Sequence, residues 1–141
     1  MNRFKQLLTL SLLLGLMASV SSQELTLSQV TQFDSARTGR GAGESQTYRL
    51  YSIQLERGEE ARPVFLDCLK QGTPPARLYG ALGLYHLDSK AGKLALQDLL
   101  QDSSPVNFTD GCLIMSLSVQ ELAKRLLSDG PDALSPANFR Q

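Results

Sequence analysis

The chain has 141 residues, and its 14 Lys and Arg are balanced by 14 Asp and Glu. This length is typical of a single domain. The balanced charge argues against a nucleic-acid partner, which would require a basic stripe, and against a polybasic membrane-binding patch. The chain has no tryptophan and its apolar residues are dominated by leucine, which favours helices over sheets.

The first 22 residues have the pattern of a secretory signal peptide. Arg3 and Lys5 give a basic start, an apolar run covers 7–17, and small residues follow as far as Ser22. A basic region, an apolar region and a small-residue cleavage site follow one another in this order in secretory signal peptides. The apolar run is also short for a bilayer span. We therefore predict a secreted or periplasmic protein with no membrane span after signal removal. A retained N-terminal membrane anchor is the alternative.

Residues 23–46 are polar and include a glycine-rich stretch over 39–43. No strand pattern precedes that stretch and no Gly-Lys-Ser/Thr follows it, so it does not match a phosphate-binding loop. Its glycine content indicates a flexible linker instead. The whole segment is predicted to be weakly ordered and to lie outside the core.

Apolar residues recur at helical spacing over much of 47–130, which is the predicted helical domain. The first helix covers about 46–57, with a strand as the alternative because apolar residues also alternate there. The second helix ends at Gly72. Thr73 is the predicted cap of the third helix, and Pro74 suits its first position. The inward stripe of the second helix consists of Ala61, Val64, Phe65, Cys68 and Leu69.

Two further helices are predicted towards the C-terminus. One begins at Ser89, and the other begins with the capping box at 118–121. Between them, apolar and polar residues alternate near 106–115 and predict a short strand or an irregular segment. We predict a mainly α fold, a small antiparallel helical bundle, followed by a loose tail over 131–141.

One stretch of the chain resembles a HEAT-type repeat. Over 66–82 a helix ends, a short turn with a proline follows, and the next helix carries small residues and leucines. A weak internal repeat aligns Asp67 with Asp98 and Pro74 with Pro105. The resemblance implies a HEAT-like module that binds other proteins. The layout is also similar to small exported bacterial proteins of unknown function.

Cys68 and Cys112 are the only thiols. Export favours a disulfide between them. Cys68 lies on the inward stripe of its helix, and the internal repeat aligns Cys112 with Ala81, an inward position of the next helix; two free buried cysteines are the alternative. The single histidine, His86, lies outside the inward stripe of its helix, and its spacing from the cysteines does not match a structural zinc motif. We therefore predict no catalytic residues, no cofactor and no metal, and the protein is not expected to be an enzyme.

The remaining candidates are four tyrosines on two predicted helices, namely Tyr48, Tyr51, Tyr79 and Tyr85. Their helical spacing aligns them with leucines, which indicates core packing. A tyrosine-lined binding face is the alternative, because tyrosine is enriched at interfaces. We predict an interaction module whose partner is another protein of the envelope or extracellular space. The alternative function is a carrier of a small apolar ligand between helices.

Overall fold

Residues 24–38 and 43–131 are described by a computed structural model. The predicted signal peptide, most of the glycine-rich stretch and nearly all of the predicted tail lie outside these ranges. The helices are α1 (Gln46–Glu56), α2 (Arg62–Gln71), α3 (Pro74–Leu87), α4 (Ser89–Asp98) and α5 (Val119–Asp129). The strands are β1 (Phe33–Thr38), β2 (Pro105–Gly111) and β3 (Leu113–Ser118).

The helix starts follow from capping residues in the sequence. Thr73 directly precedes the first residue of α3, and its hydroxyl accepts a hydrogen bond from the Ala76 N–H at 3.3 Å. At α5, the Ser118 hydroxyl accepts from the Glu121 N–H at 3.1 Å, and the Glu121 carboxylate accepts from the Ser118 N–H at 2.7 Å. Both predicted caps are therefore confirmed, because each provides a hydrogen-bond acceptor for an N–H group of the first turn that has no partner within the helix.

The prediction of a mainly helical bundle is wrong, because the chain also builds a three-stranded mixed sheet with the order β1-β2-β3. β1 pairs in parallel with β2, and β2 pairs antiparallel with β3. Gly111 adopts φ +57° at the reversal between β2 and β3, a conformation that glycine reaches without steric cost. The alternating segment near 106–115 is thus a hairpin, and the described fold is a mixture of helices and sheet.

The segment 24–38 packs into the core, so the prediction that 23–46 lies outside the core is wrong for this part. Its buried apolar side chains are Leu27, Val30 and Phe33. The Thr73 N–H donates to the Ser28 carbonyl at 3.1 Å, and the Thr73 hydroxyl donates to the Val30 carbonyl. These bonds hold the segment against the start of α3 and bring β1 alongside β2.

Helix α3 packs closely against both α2 and α4. A Cβ at Gly83 of α3 would lie 2.3 Å from the Phe65 ring of α2. A Cβ at Gly80 would lie 2.6 Å from the Phe65 carbonyl oxygen. The two glycines therefore allow α2 and α3 to approach closely, since any larger side chain would push the helices apart.

Candidate functional site

A cavity of about 280 Å³ lies between β1, α1 and α3. Its floor consists of the buried residues Phe33, Asp34, Ser35, Tyr51, Tyr79 and Leu82. Its rim consists of the exposed or half-buried residues Ala36, Tyr48, Leu55, His86 and Pro131. The cavity is therefore mostly apolar, and its polar groups come from β1, the tyrosines and His86.

Helix α1 places two tyrosines on the cavity wall. Ser45 accepts a hydrogen bond from the Tyr48 N–H at 3.0 Å and caps the helix, and the spacing of three residues puts Tyr48 and Tyr51 on one helix face. Their ring centroids lie 5.8 Å apart in an edge-to-face arrangement. The Tyr51 ring lies 5.0 Å from Tyr79 of α3, and Tyr79 lies 4.6 Å from Phe33 of β1. The four rings form a continuous aromatic surface.

The Tyr79 hydroxyl joins α3 to β1. It donates to the Asp34 carbonyl at 3.0 Å and accepts from the Asp34 N–H at 2.8 Å. Burial raises the pKa of Tyr79 well above its ordinary value, because the phenolate would lose its solvation. One side-chain oxygen thus satisfies two buried backbone groups and fixes the strand beside the cavity.

Asp34 carries a buried carboxylate, and only 2% of the residue is exposed. Its Oδ2 accepts a hydrogen bond from Gln32 Nε2 at 2.9 Å. Its Oδ1 is buried, and no hydrogen-bond partner for it exists among the described residues. Asp34 is the only carboxylate among the described lining residues, which include no Lys or Arg. Asp34 is therefore held on both its backbone and its side chain, by Tyr79 and by Gln32.

We expect Tyr79→Phe to lower the free energy of unfolding by about 2 kcal/mol, since the buried N–H and carbonyl of Asp34 lose their partner. Urea unfolding followed by circular dichroism measures the change. Tyr85→Phe is the matched control, because Tyr85 lies on the same helix and is only half-buried. Equal losses in the two variants would show that the Tyr79 hydroxyl has no special structural role.

Three of the four predicted tyrosines meet at this cavity. Tyr85 does not line it; it is half-buried and contacts α4. Tyr51 and Tyr79 belong to the core as well as to the cavity floor, so the same side chains pack in the core and line the cavity. Sequence reasoning missed Asp34, because nothing in the polar segment around it signals burial against α3.

The structure does not pair Cys68 with Cys112, and both thiols are free. Cys68 is fully buried in α2. Cys112 is exposed in the turn between β2 and β3. The predicted disulfide is therefore not made in this structure, because the hairpin carries Cys112 away from the core.

We expect iodoacetamide to alkylate Cys112 in the native protein and Cys68 only after unfolding. Burial, assisted by the nearby charge of Asp67, raises the pKa of Cys68 to about 12, and only the thiolate reacts. Peptide mass spectrometry at mildly alkaline pH distinguishes the two sites. Rapid native alkylation of Cys68, or a peptide with the two cysteines linked, would contradict this expectation.

Two larger open grooves lie elsewhere on the surface. One of about 580 Å³ lies between the N-terminal segment, α1 and α2. The other, of about 710 Å³, lies between α2, α3 and α4. Arg77 and Asp102 line this second groove and form an ion pair at 3.1 Å, and Asp98 adds a second carboxylate to its lining.

Within the described ranges, no group of three or more His, Cys, Asp or Glu side chains is placed to hold a metal ion. The same residues include no helix with the length and apolar character needed to cross a membrane. No protein-family model, curated protein or solved structure matches the chain. The HEAT-type resemblance therefore stays a prediction, and the cavity is interpreted from its own geometry.

Proposed function

We propose that the protein is a binding protein without catalytic activity that holds a small ligand in the tyrosine-lined cavity. The observation that carries this proposal is the composition of the cavity, an aromatic surface with a few polar groups from β1 and His86. Small-ligand sites are concave and mostly apolar, with a few placed polar groups, and range over about 300–1,000 Å³. At about 280 Å³, this cavity suits a ligand of few heavy atoms.

Binding is favoured over catalysis by the hydrogen bonds around the cavity floor. Tyr79 bonds to the backbone of Asp34, and the Asp34 carboxylate bonds to Gln32. An acid–base or nucleophile set requires its members to contact one another at the reacting atom. These bonds anchor a strand instead. The pattern of the first 22 residues supports a secreted or periplasmic location.

A titration with a chemically mixed set of small molecules tests this proposal. We expect some members to shift the nuclear magnetic resonance signals of Tyr48, Leu55 and Leu82 in a saturable manner. Ala36→Trp should abolish the shifts, because Ala36 is exposed at the rim and a large side chain there blocks the cavity. Gln97→Trp on the exposed face of α4 is the control. If no cation, anion or neutral compound shifts these signals, the proposal is wrong.

A second candidate function is interaction with another protein of the envelope or extracellular space. It is favoured by β3, an edge strand of the sheet formed by the described residues, whose first residues Leu113 and Ile114 are 58% and 76% exposed. Leu113–Ser118 contains no charged residue and no proline, which are two of the devices that protect an edge strand from pairing. Such an edge can accept a partner strand through backbone hydrogen bonds.

Photo-crosslinking from the exposed Cys112 in an envelope extract tests the second candidate. We expect a single defined crosslinked product from the wild-type protein. Ile114→Lys should remove that product, because a charge on the edge opposes strand pairing, and should leave the cavity unchanged. The same product at unchanged yield in Ile114→Lys would exclude β3 as the contact.

A further inference from the structure

We propose that the outer edge of β3 pairs with β3 of a second copy of this chain, so that two three-stranded sheets join into one. The inference rests on the second candidate function, in which β3 is an interaction edge, and it names the partner. Three features of the described sheet support it, namely the open edge of β3, the covered edge of β1 and the lack of charge along β3.

The outer edge of β3 has no neighbouring strand among the described residues. The order β1-β2-β3 places β3 at the end of the sheet. Within the described ranges, the backbone of 113–117 makes no hydrogen bond outside the ladder with β2. None of the six residues of β3 is fully buried. Because an edge strand presents a row of unpaired N–H and carbonyl groups, this edge is a template for a further strand.

The opposite edge of the sheet, β1, is covered. Its first three residues, 33–35, are buried, and both α1 and α3 contact it. The Tyr79 hydroxyl bonds to the N–H and the carbonyl of Asp34, at 2.8 and 3.0 Å, so the backbone groups that Asp34 would offer to a further strand are already used. Covering an edge with a helix prevents strand pairing there. The described sheet therefore has a single open edge.

A single open edge determines how copies can associate. If both edges were open, copies would add one after another without closing. With one open edge, pairing ends after two copies, which is the closed arrangement of an isologous dimer. A two-fold axis perpendicular to the sheet makes the two β3 strands antiparallel, and antiparallel strands form a regular hydrogen-bonded ladder. The expected assembly is therefore a dimer and not a fibre.

The composition of β3 is compatible with pairing to itself. A two-fold axis brings residues of the strand close to the same residues of the second copy, so any charge near the axis would meet an equal charge. β3 contains no charged residue and no proline, so like charges do not oppose one another across the new ladder. Leu113 and Ile114 are 58% and 76% exposed, and a strand beside them removes part of this apolar surface from water.

Light scattering on the purified protein tests the dimer. We expect twice the mass of the chain at about 100 µM, where an interface with a Kd of micromolar order is populated. Ile114→Lys should weaken the dimer at least about tenfold, because the substitution enters twice and places like charges on the shared edge. Leu94→Lys is the matched control, since Leu94 is 54% exposed on α4, and should leave the dimer unchanged.

Pulsed electron paramagnetic resonance tests the arrangement without any substitution. A nitroxide reacts with the exposed Cys112 and not with the buried Cys68. Pairing of all six residues places Cys112 opposite position 119 of the second copy, so the two Cys112 Cα atoms lie about 23 Å apart at about 3.3 Å per residue. Parallel pairing in register would bring them to about 5 Å. The absence of a defined distance would overturn the inference.

The outcomes separate this inference from the second candidate function. A monomer at about 100 µM, or equal dimerisation of Ile114→Lys and Leu94→Lys, would overturn the self-pairing of β3. Photo-crosslinking from Cys112 in the envelope extract then decides whether the edge has another use. A product that contains a different protein keeps β3 as an interaction edge, and no product removes the second candidate function as well. If Ile114→Lys does not fold, the distance between labels on the wild-type protein decides.

Discussion

Phe65→Ala is expected to lower the free energy of unfolding by about 3–5 kcal/mol, the range for removing a buried aromatic side chain. Phe65 is fully buried in α2. Its ring lies against Gly83 of α3 and 6.2 Å from the Tyr51 ring of α1. The ring thus fills the space between three helices, and its removal leaves a void that the surrounding backbone can close only in part.

Urea unfolding followed by circular dichroism measures this loss, with Leu66→Ala as the matched control. Leu66 is the next residue of α2 and is 50% exposed, so its truncation should cost less than about 1 kcal/mol. Both variants introduce alanine in the same helix turn, so helix propensity differs between them by only about 0.5 kcal/mol or less. Similar losses at the two positions would show that Phe65 is not the centre of the core.

Gly92→Ala is expected to destabilise the protein by about 3 kcal/mol through overpacking. A Cβ at this position would lie 2.1 Å from the Tyr85 Cα and 2.4 Å from the Tyr85 nitrogen. These are backbone atoms of α3 and cannot rotate away, so α4 would have to move. The clash outweighs the gain of about 1 kcal/mol that alanine brings to a helix interior.

The matched control for this clash is Gly43→Ala, because nothing lies within 4 Å of a Cβ built at Gly43. We expect that substitution to change the free energy of unfolding by no more than about 0.5 kcal/mol. Denaturant unfolding of both variants gives the comparison. A Gly92→Ala protein as stable as the wild type would mean that α3 and α4 do not pack at the separation described.

Local signals explain which elements could be predicted from the sequence. The starts of α3 and α5 depend on Thr73, Pro74, Ser118 and Glu121, which act within one turn of helix. The inward stripe of α2 follows from spacing within ten residues, and it places Phe65 and Cys68 correctly in the core. Capping and helical periodicity involve neighbours in the chain, so the sequence alone determined these features.

The sheet depended on contacts between distant parts of the chain. β1 pairs Phe33 with Phe108, and neither the polar sequence around β1 nor its glycine-rich neighbour indicates such a partner. The alternation near 106–115 did indicate a strand, but its hairpin depends on Gly111 and on pairing with β3. That reversal leaves Cys112 exposed, which is why the predicted disulfide is not formed.

The candidate site, like the fold, could be predicted from the sequence only in part. Local sequence predicts the positions of the three tyrosines on two helices, because helical spacing places Tyr48 and Tyr51 together and aligns Tyr79 with the leucines of α3. Their meeting with β1 at one cavity depends on tertiary contacts, because the Tyr79 hydroxyl bonds to the backbone of Asp34, 45 positions away in the chain. Burial of a polar group depends on the residues that pack over it, and here those residues are distant in the chain, so the neighbouring sequence does not indicate the burial.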